Sequence, residues 1–169
     1  MQEFNLKRLE QLEELLDIQY DKLHEYEKEL AMSSGPEKIS LKLRMKMEIV
    51  PELKKYEKEY AELLAEGVDE DAIAEDEAAP IVAELVAATS DLERYRQAKA
   101  PEEMLQLLNE IRAKLEEPGT SAAAKLKVTL PIIPLLASYE LELDTENFLN
   151  TVWDKARSLF RRVIPRNPR

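Results

Sequence analysis

The sequence predicts a mainly α-helical protein: a long antiparallel helical hairpin plus further helices, with a small C-terminal β-hairpin followed by an amphipathic helix. Three observations carry that expectation. Leucine and tyrosine recur at intervals of three and four through the first third of the chain, the period of a helix with one buried face. Charged residues make up 35% and only 3 residues are Gly, a composition of exposed helices. Beyond residue 124 the apolar period switches to two, the period of a half-buried strand.

Leu9, Leu12, Leu16, Leu23, Tyr26 and Leu30 form a heptad-like stripe broken only by Gln19, which predicts a helix from about Gln2 to Met32. Ser33-Ser34-Gly35-Pro36 ends it: Gly35 suits a left-handed closing position and Pro36 the first turn of the next helix. The return helix carries Ile39, Leu43, Met47, Val50, Leu53, Tyr56, Tyr60 and Leu63. So short a connection folds one helix onto the other, with both stripes buried together. Pro51 is expected to kink the return helix near Met47 to Val50 without ending it, because the stripe continues beyond it.

Gly67 closes this helix, and Glu66 to Glu77 is rich in acids and lacks a base. That run reads as a solvated connection or as the acidic first turns of the next helix. It lacks the alternating oxygens and Gly-centred turn of a calcium loop. A third helix is expected from about Pro80 to Gln97 around Ile81, Leu85 and Leu92. Ala100-Pro101-Glu102-Glu103 starts a fourth, which carries Met104, Leu105, Leu108, Ile111 and Leu115 to about Glu116. Glu117 to Ala124 is read as a small-residue linker.

Two strands follow in this reading. Leu126, Val128 and Leu130 alternate with Lys127 and Thr129, and Tyr139, Leu141 and Leu143 alternate with Glu140 and Glu142. Antiparallel pairing with Leu130 opposite Tyr139 sets Lys127 against Glu142 and Lys125 against Asp144. Asp144 or Thr145 then caps a last helix with Phe148, Leu149, Val152, Trp153, Ala156, Leu159, Phe160 and Val163 on one face. The expected organisation is a hairpin over 1–67, two helices over 68–117, a linker over 118–124, and a β-hairpin plus basic helix over 125–169.

Several classes of function are disfavoured at once. A net charge of −11 opposes nucleic acid as a partner. Without Cys there is no disulfide, thiolate metal site or cysteine nucleophile. The polar start Met1-Gln2-Glu3 gives no expectation of a signal peptide. The longest uncharged stretch, Val128 to Tyr139, is far short of the roughly 20 residues of a spanning helix. A cytoplasmic location is expected, with membrane association as the alternative. His24 is the only histidine, Gly35, Gly67 and Gly119 are isolated, and Ser33 and Ser34 have no base nearby. No catalytic residue, cofactor site or metal ligand is expected, and the chain is not read as an enzyme.

Two features point to contact with something else. The apolar segment Pro131 to Ala137 offers Ile132, Ile133, Leu135 and Leu136 as a candidate contact tip. The last helix offers Trp153 and Phe160 on its apolar side, and Arg157, Arg161 and Arg162 are among six basic residues over 154–169, where Asp154 is the one acid. Both have a plainer reading. The tip and aromatic face pack internally, and the arginines face solvent or the chain's own acidic helices.

The hairpin segment Leu12-Glu13-Glu14-Leu15-Leu16-Asp17-Ile18-Gln19-Tyr20-Asp21-Lys22-Leu23 and the segment from Ala124 through Leu130-Pro131-Ile132-Ile133-Pro134 to Asp144-Thr145-Glu146 carry a resemblance. They resemble helical effector-associated modules of cyanobacterial signalling and defence proteins, which accompany NACHT-type and other STAND NTPases and caspase-like peptidases. The resemblance implies an adaptor role through self-association or contact with a protein partner, with no catalytic residue carried over. The expected function is thus a non-enzymatic interaction module, a homo-oligomer. A peripheral membrane protein that uses the 131–137 tip and the basic helix on an anionic surface is the alternative.

Overall fold

The structure is a computed structural model that describes residues 3–94, 100–143 and 148–164. Helix α1 spans Glu3–Met32 and α2 Pro36–Arg44; a π-helical turn over Met45–Ile49 leads into α3, Val50–Gly67. A 3-10 turn at Glu70–Ala72 precedes α4, Glu75–Glu93; then follow α5 (Glu102–Leu115), α6 (Ala122–Thr129), α7 (Ile133–Leu143) and α8 (Phe148–Val163).

The helical hairpin is present. Helix α1 packs along α3, and the polar edge of the seam fixes the register. Arg8 donates to both carboxylate oxygens of Glu59 at 2.6 and 2.8 Å, and the Tyr60 hydroxyl donates to Glu13 at 2.9 Å. Nearer the turn, the Tyr26 hydroxyl donates to Glu48 at 2.9 Å. Gly35 closes the turn at φ +63°, a left-handed value that a side chain disfavours. Gln19 is buried in α1, and its Oε1 has no hydrogen-bond partner among the described residues.

Pro51 acts where the sequence places it, and the consequence is larger than a bend. Proline has no N–H to give to the turn before it, and Met45–Ile49 widens into a π turn that holds an extra residue. One extra residue rotates everything before it by about 100° relative to α3. Leu41, Met45 and Ile49 therefore enter the core, while Ile39, Leu43 and Met47, expected in the buried stripe, are 70%, 56% and 70% exposed.

The C-terminal β-hairpin is not present; there is no strand among the described residues. Lys125 to Leu143 instead forms α6 and α7, bent by 60° at the break between them. The alternation that suggested strands covers too few residues to separate the two periods. Leu126, Thr129, Leu130, Ile133, Leu136, Ala137 and Glu140 are all buried at spacings of one, three and four, whereas Val128 is 48% exposed. Three consecutive alanines favour a helix start, and Ser121 caps it by accepting from Ala124 N at 3.1 Å. Glu75 of α4 accepts from Ala122 N and Ala123 N at 2.8 and 2.9 Å, which satisfies two more free amides of that turn. Pro134 falls in the first turn of α7, where its missing donor costs nothing.

Helix α4 begins at Glu75 rather than near Pro80, so the acids Glu75, Asp76 and Glu77 form its first turn. The expected end of this helix at Gln97, the caps Asp144 and Thr145 and the Lys125–Asp144 pair lie outside the described residues. One apolar core runs from Leu6 to Ile164 and draws on α1, α3 to α8 and the π turn. Helix α8 lies against α4 and α7, and α7 against α3. Among the described residues no single helix is long and apolar enough to cross a membrane.

Candidate functional site

The residues singled out in the C-terminal third converge on the junction of α1, α3, α7 and α8. Trp153 and Phe160 lie on the apolar face of α8, which points into the core, and both are fully buried. Ile132, Ile133 and Leu136 are also buried and Leu135 is half-buried, so the apolar segment 131–137 is core rather than a projecting tip.

The three arginines line a groove of about 800 Å³ between α1, α3 and α8, together with Glu13, Asp17 and Tyr60. Each has an acidic neighbour in the same chain. Arg157 bonds Asp154 at 3.1 Å, Arg161 bonds Glu13 at 3.1 Å, and Arg162 bonds Glu77 of α4. Lys155 reaches Glu84 at 2.6 Å. The basic side of α8 thereby clamps the last helix onto the acidic faces of α1 and α4. Arg166 and Arg169 lie outside the described residues.

Between α1, α3 and α8, against Tyr20 and Trp153, sits a buried carboxylate that is not among the residues the sequence singles out. Glu57 is 3% exposed. It accepts from the Trp153 indole N–H at 2.9 Å and from the Tyr20 hydroxyl, and the Arg157 guanidinium lies over the Tyr20 ring at 5.6 Å. Burial pushes the Glu57 carboxyl up to about 7, against the pull of Arg157 and of the Trp153 hydrogen bond. Glu57 stands between Leu53 and Tyr60 at core spacing, and a carboxylate at such a position was the available signal. Glu140 is a second case. It is 2% exposed and accepts from Leu149 N at 2.9 Å and Asn150 N at 3.2 Å. Burial raises its carboxyl to about 7, opposed by those backbone donors.

This junction is a fastening between elements: Arg157, Arg161 and Arg162 are each answered by an acidic partner inside the chain. Among the described residues no group of three His, Cys, Asp or Glu side chains could hold a metal ion, and His24 is exposed on α1.

The surface that points outward is elsewhere. The main packing partners of α2 and the π turn are α1, α3 and each other, so the far half of the hairpin is a two-helix arm. Its outer side carries the row Ile39, Leu43 and Met47, with Met32 91% exposed beside the turn. Sequence reasoning identified these residues as apolar but assigned them to the seam.

Comparison of the chain with protein-family models, with curated proteins and with solved structures finds no match. The resemblance to cyanobacterial modules therefore rests on the two sequence stretches that suggested it.

Proposed function

We propose that this chain is a non-enzymatic interaction module of the adaptor type, which binds its partner through the outer face of the two-helix arm. One observation carries the reading: a row of three large apolar side chains at four-residue spacing is turned to solvent across a π turn. Single exposed apolar residues are ordinary, but an ordered row on one helix face is the form in which helices recognise one another. π turns inside α-helices recur at functional sites. A signalling or defence assembly is the setting that the resemblance implies.

The membrane alternative has less support. The 131–137 segment it needs is largely buried, and the cations of α8 are matched by Glu13, Glu77 and Glu84.

A photo-crosslinking residue placed at Leu43 in the native cell tests the proposal, with one at Glu110, exposed on α5, as the control. The expected result is one adduct, identified by mass spectrometry, that forms from position 43 and not from 110. Absence of an adduct, or the same adducts from both positions, counts against the arm as the binding face.

A further inference from the structure

We infer that α2 is a two-register element. The extra residue of the π turn passes out through α2 to the turn at Gly35, and the helix rotates so that its buried and exposed apolar rows exchange places. The two rows are matched. Leu41, Met45 and Ile49, which are buried, and Ile39, Leu43 and Met47, which are exposed, each consist of one Leu, one Met and one Ile at four-residue spacing. Apolar burial follows side-chain size and hardly distinguishes them.

The buried positions of α3 show where the second register lies. Leu64, Glu57 and Val50 are buried at intervals of seven, and so are Tyr60 and Leu53. Continued without the π turn, the first series reaches Leu43 and the second reaches Lys46 and Ile39. In that register Ile39 and Leu43 lie in the seam and Leu41 and Met45 outside it, with the Lys46 stem along the seam edge and its ammonium in water. Rotation of α2 disturbs a small part of the molecule. Helix α2 packs mainly on α1 and the π turn, so α4 to α8 stay in place. Tyr26 meets Glu48 through an exposed hydrogen bond of 2.9 Å and Arg44 through a ring contact at 5.8 Å, and exposed polar contacts cost little to break. The turn at Gly35 stands in open space on its Cβ side, where it takes up the displaced residue. Pro51 sets the balance. With no N–H and a ring that crowds the preceding turn, it disfavours the uninterrupted helix by roughly a hundredfold, which keeps the second register a minor state. On the reading of the outer row as the binding face, the second register withdraws that face and switches the arm off.

The chain contains no Cys, so Ile39→Cys, Leu41→Cys, Leu43→Cys and Met45→Cys, made one at a time in the full chain, report the register through their rates of maleimide labelling. With Pro51 present, positions 39 and 43 are expected to react fast and 41 and 45 slowly. Pro51→Ala is expected to exchange the pairs, each rate moving at least about tenfold in opposite directions. Deletion of Lys46 from the Pro51→Ala chain removes the extra residue and is expected to restore the original order. An unchanged order in Pro51→Ala overturns the inference. So does fast labelling at all four positions, the mark of an arm that has come apart instead of turning, or failure of the Lys46 deletion to restore the order. If the order exchanges while a crosslinker at position 43 gives no adduct, the two registers stand and the binding face falls. If the adduct forms and the order does not exchange, the binding face stands and the second register falls.

Discussion

At the scale of single residues, Glu57 and Glu140 decide how the last helix is held. Glu57 gives the Trp153 N–H and the Tyr20 hydroxyl a common acceptor inside the core. Glu57→Ala strands both donors and is expected to cost about 1–3 kcal/mol in urea denaturation. Glu140 takes the first amides of α8 from inside the protein, and Glu140→Ala is expected to lower stability by a similar amount, about 1–3 kcal/mol. The pH dependence has a definite sign. Both carboxyls are raised from 4.5 to about 7 in the folded chain, so the folded state holds more protons than the unfolded state between those values. Their contribution is fully present below about 4.5 and is lost as pH rises through about 7. Glu57→Gln cannot titrate, so denaturation midpoints at pH 5 and pH 8 should differ less for it than for the wild type. An equal or larger difference would mean that Glu57 is ionised throughout.

Among the elements, the most instructive is the π turn. It arises from Pro51, which the sequence displays openly, yet its effect on which face of α2 is buried is not legible there. Both Ile39–Leu43–Met47 and Leu41–Met45–Ile49 are apolar rows at four-residue spacing, and a single inserted residue chooses between them. Removing that residue tests the explanation. Deletion of Lys46 together with Pro51→Ala should restore an uninterrupted α-helix with Leu41 and Met45 still inward. Helical circular dichroism is then expected to be retained and stability to change by less than about 1 kcal/mol; loss of the fold would contradict the account. The long helices of the hairpin were readable because their period persists over many turns. The segment 125–143 misleads because its charged residues alternate with apolar ones for only a few positions, whereas in the fold Leu136 to Glu140 are buried at every position. The capping by Glu75 and Glu140 comes from distant or preceding helices and leaves no local trace. At the turn, Gly35→Ala meets no neighbouring atoms but is strained at φ +63°, and is expected to cost about 1–3 kcal/mol.

Taken as a whole, the molecule is an acidic helical body fastened by its own basic last helix, with a two-helix arm that presents an exposed apolar row. The candidate residues of the C-terminal third are largely interior or paired within the chain. The apolar row turned outward is instead Ile39, Leu43 and Met47, which the spacing of the sequence places in the hairpin seam. This assignment rests on which of two apolar rows is buried, and stability reads that directly. Urea denaturation of Leu43→Ser/Met47→Ser should leave the midpoint nearly unchanged, whereas Leu41→Ser/Met45→Ser should cost about 2–5 kcal/mol. The reverse ranking, a costly outer pair and a tolerated inner pair, would place the Ile39–Leu43–Met47 row in the core and leave the arm without a binding face.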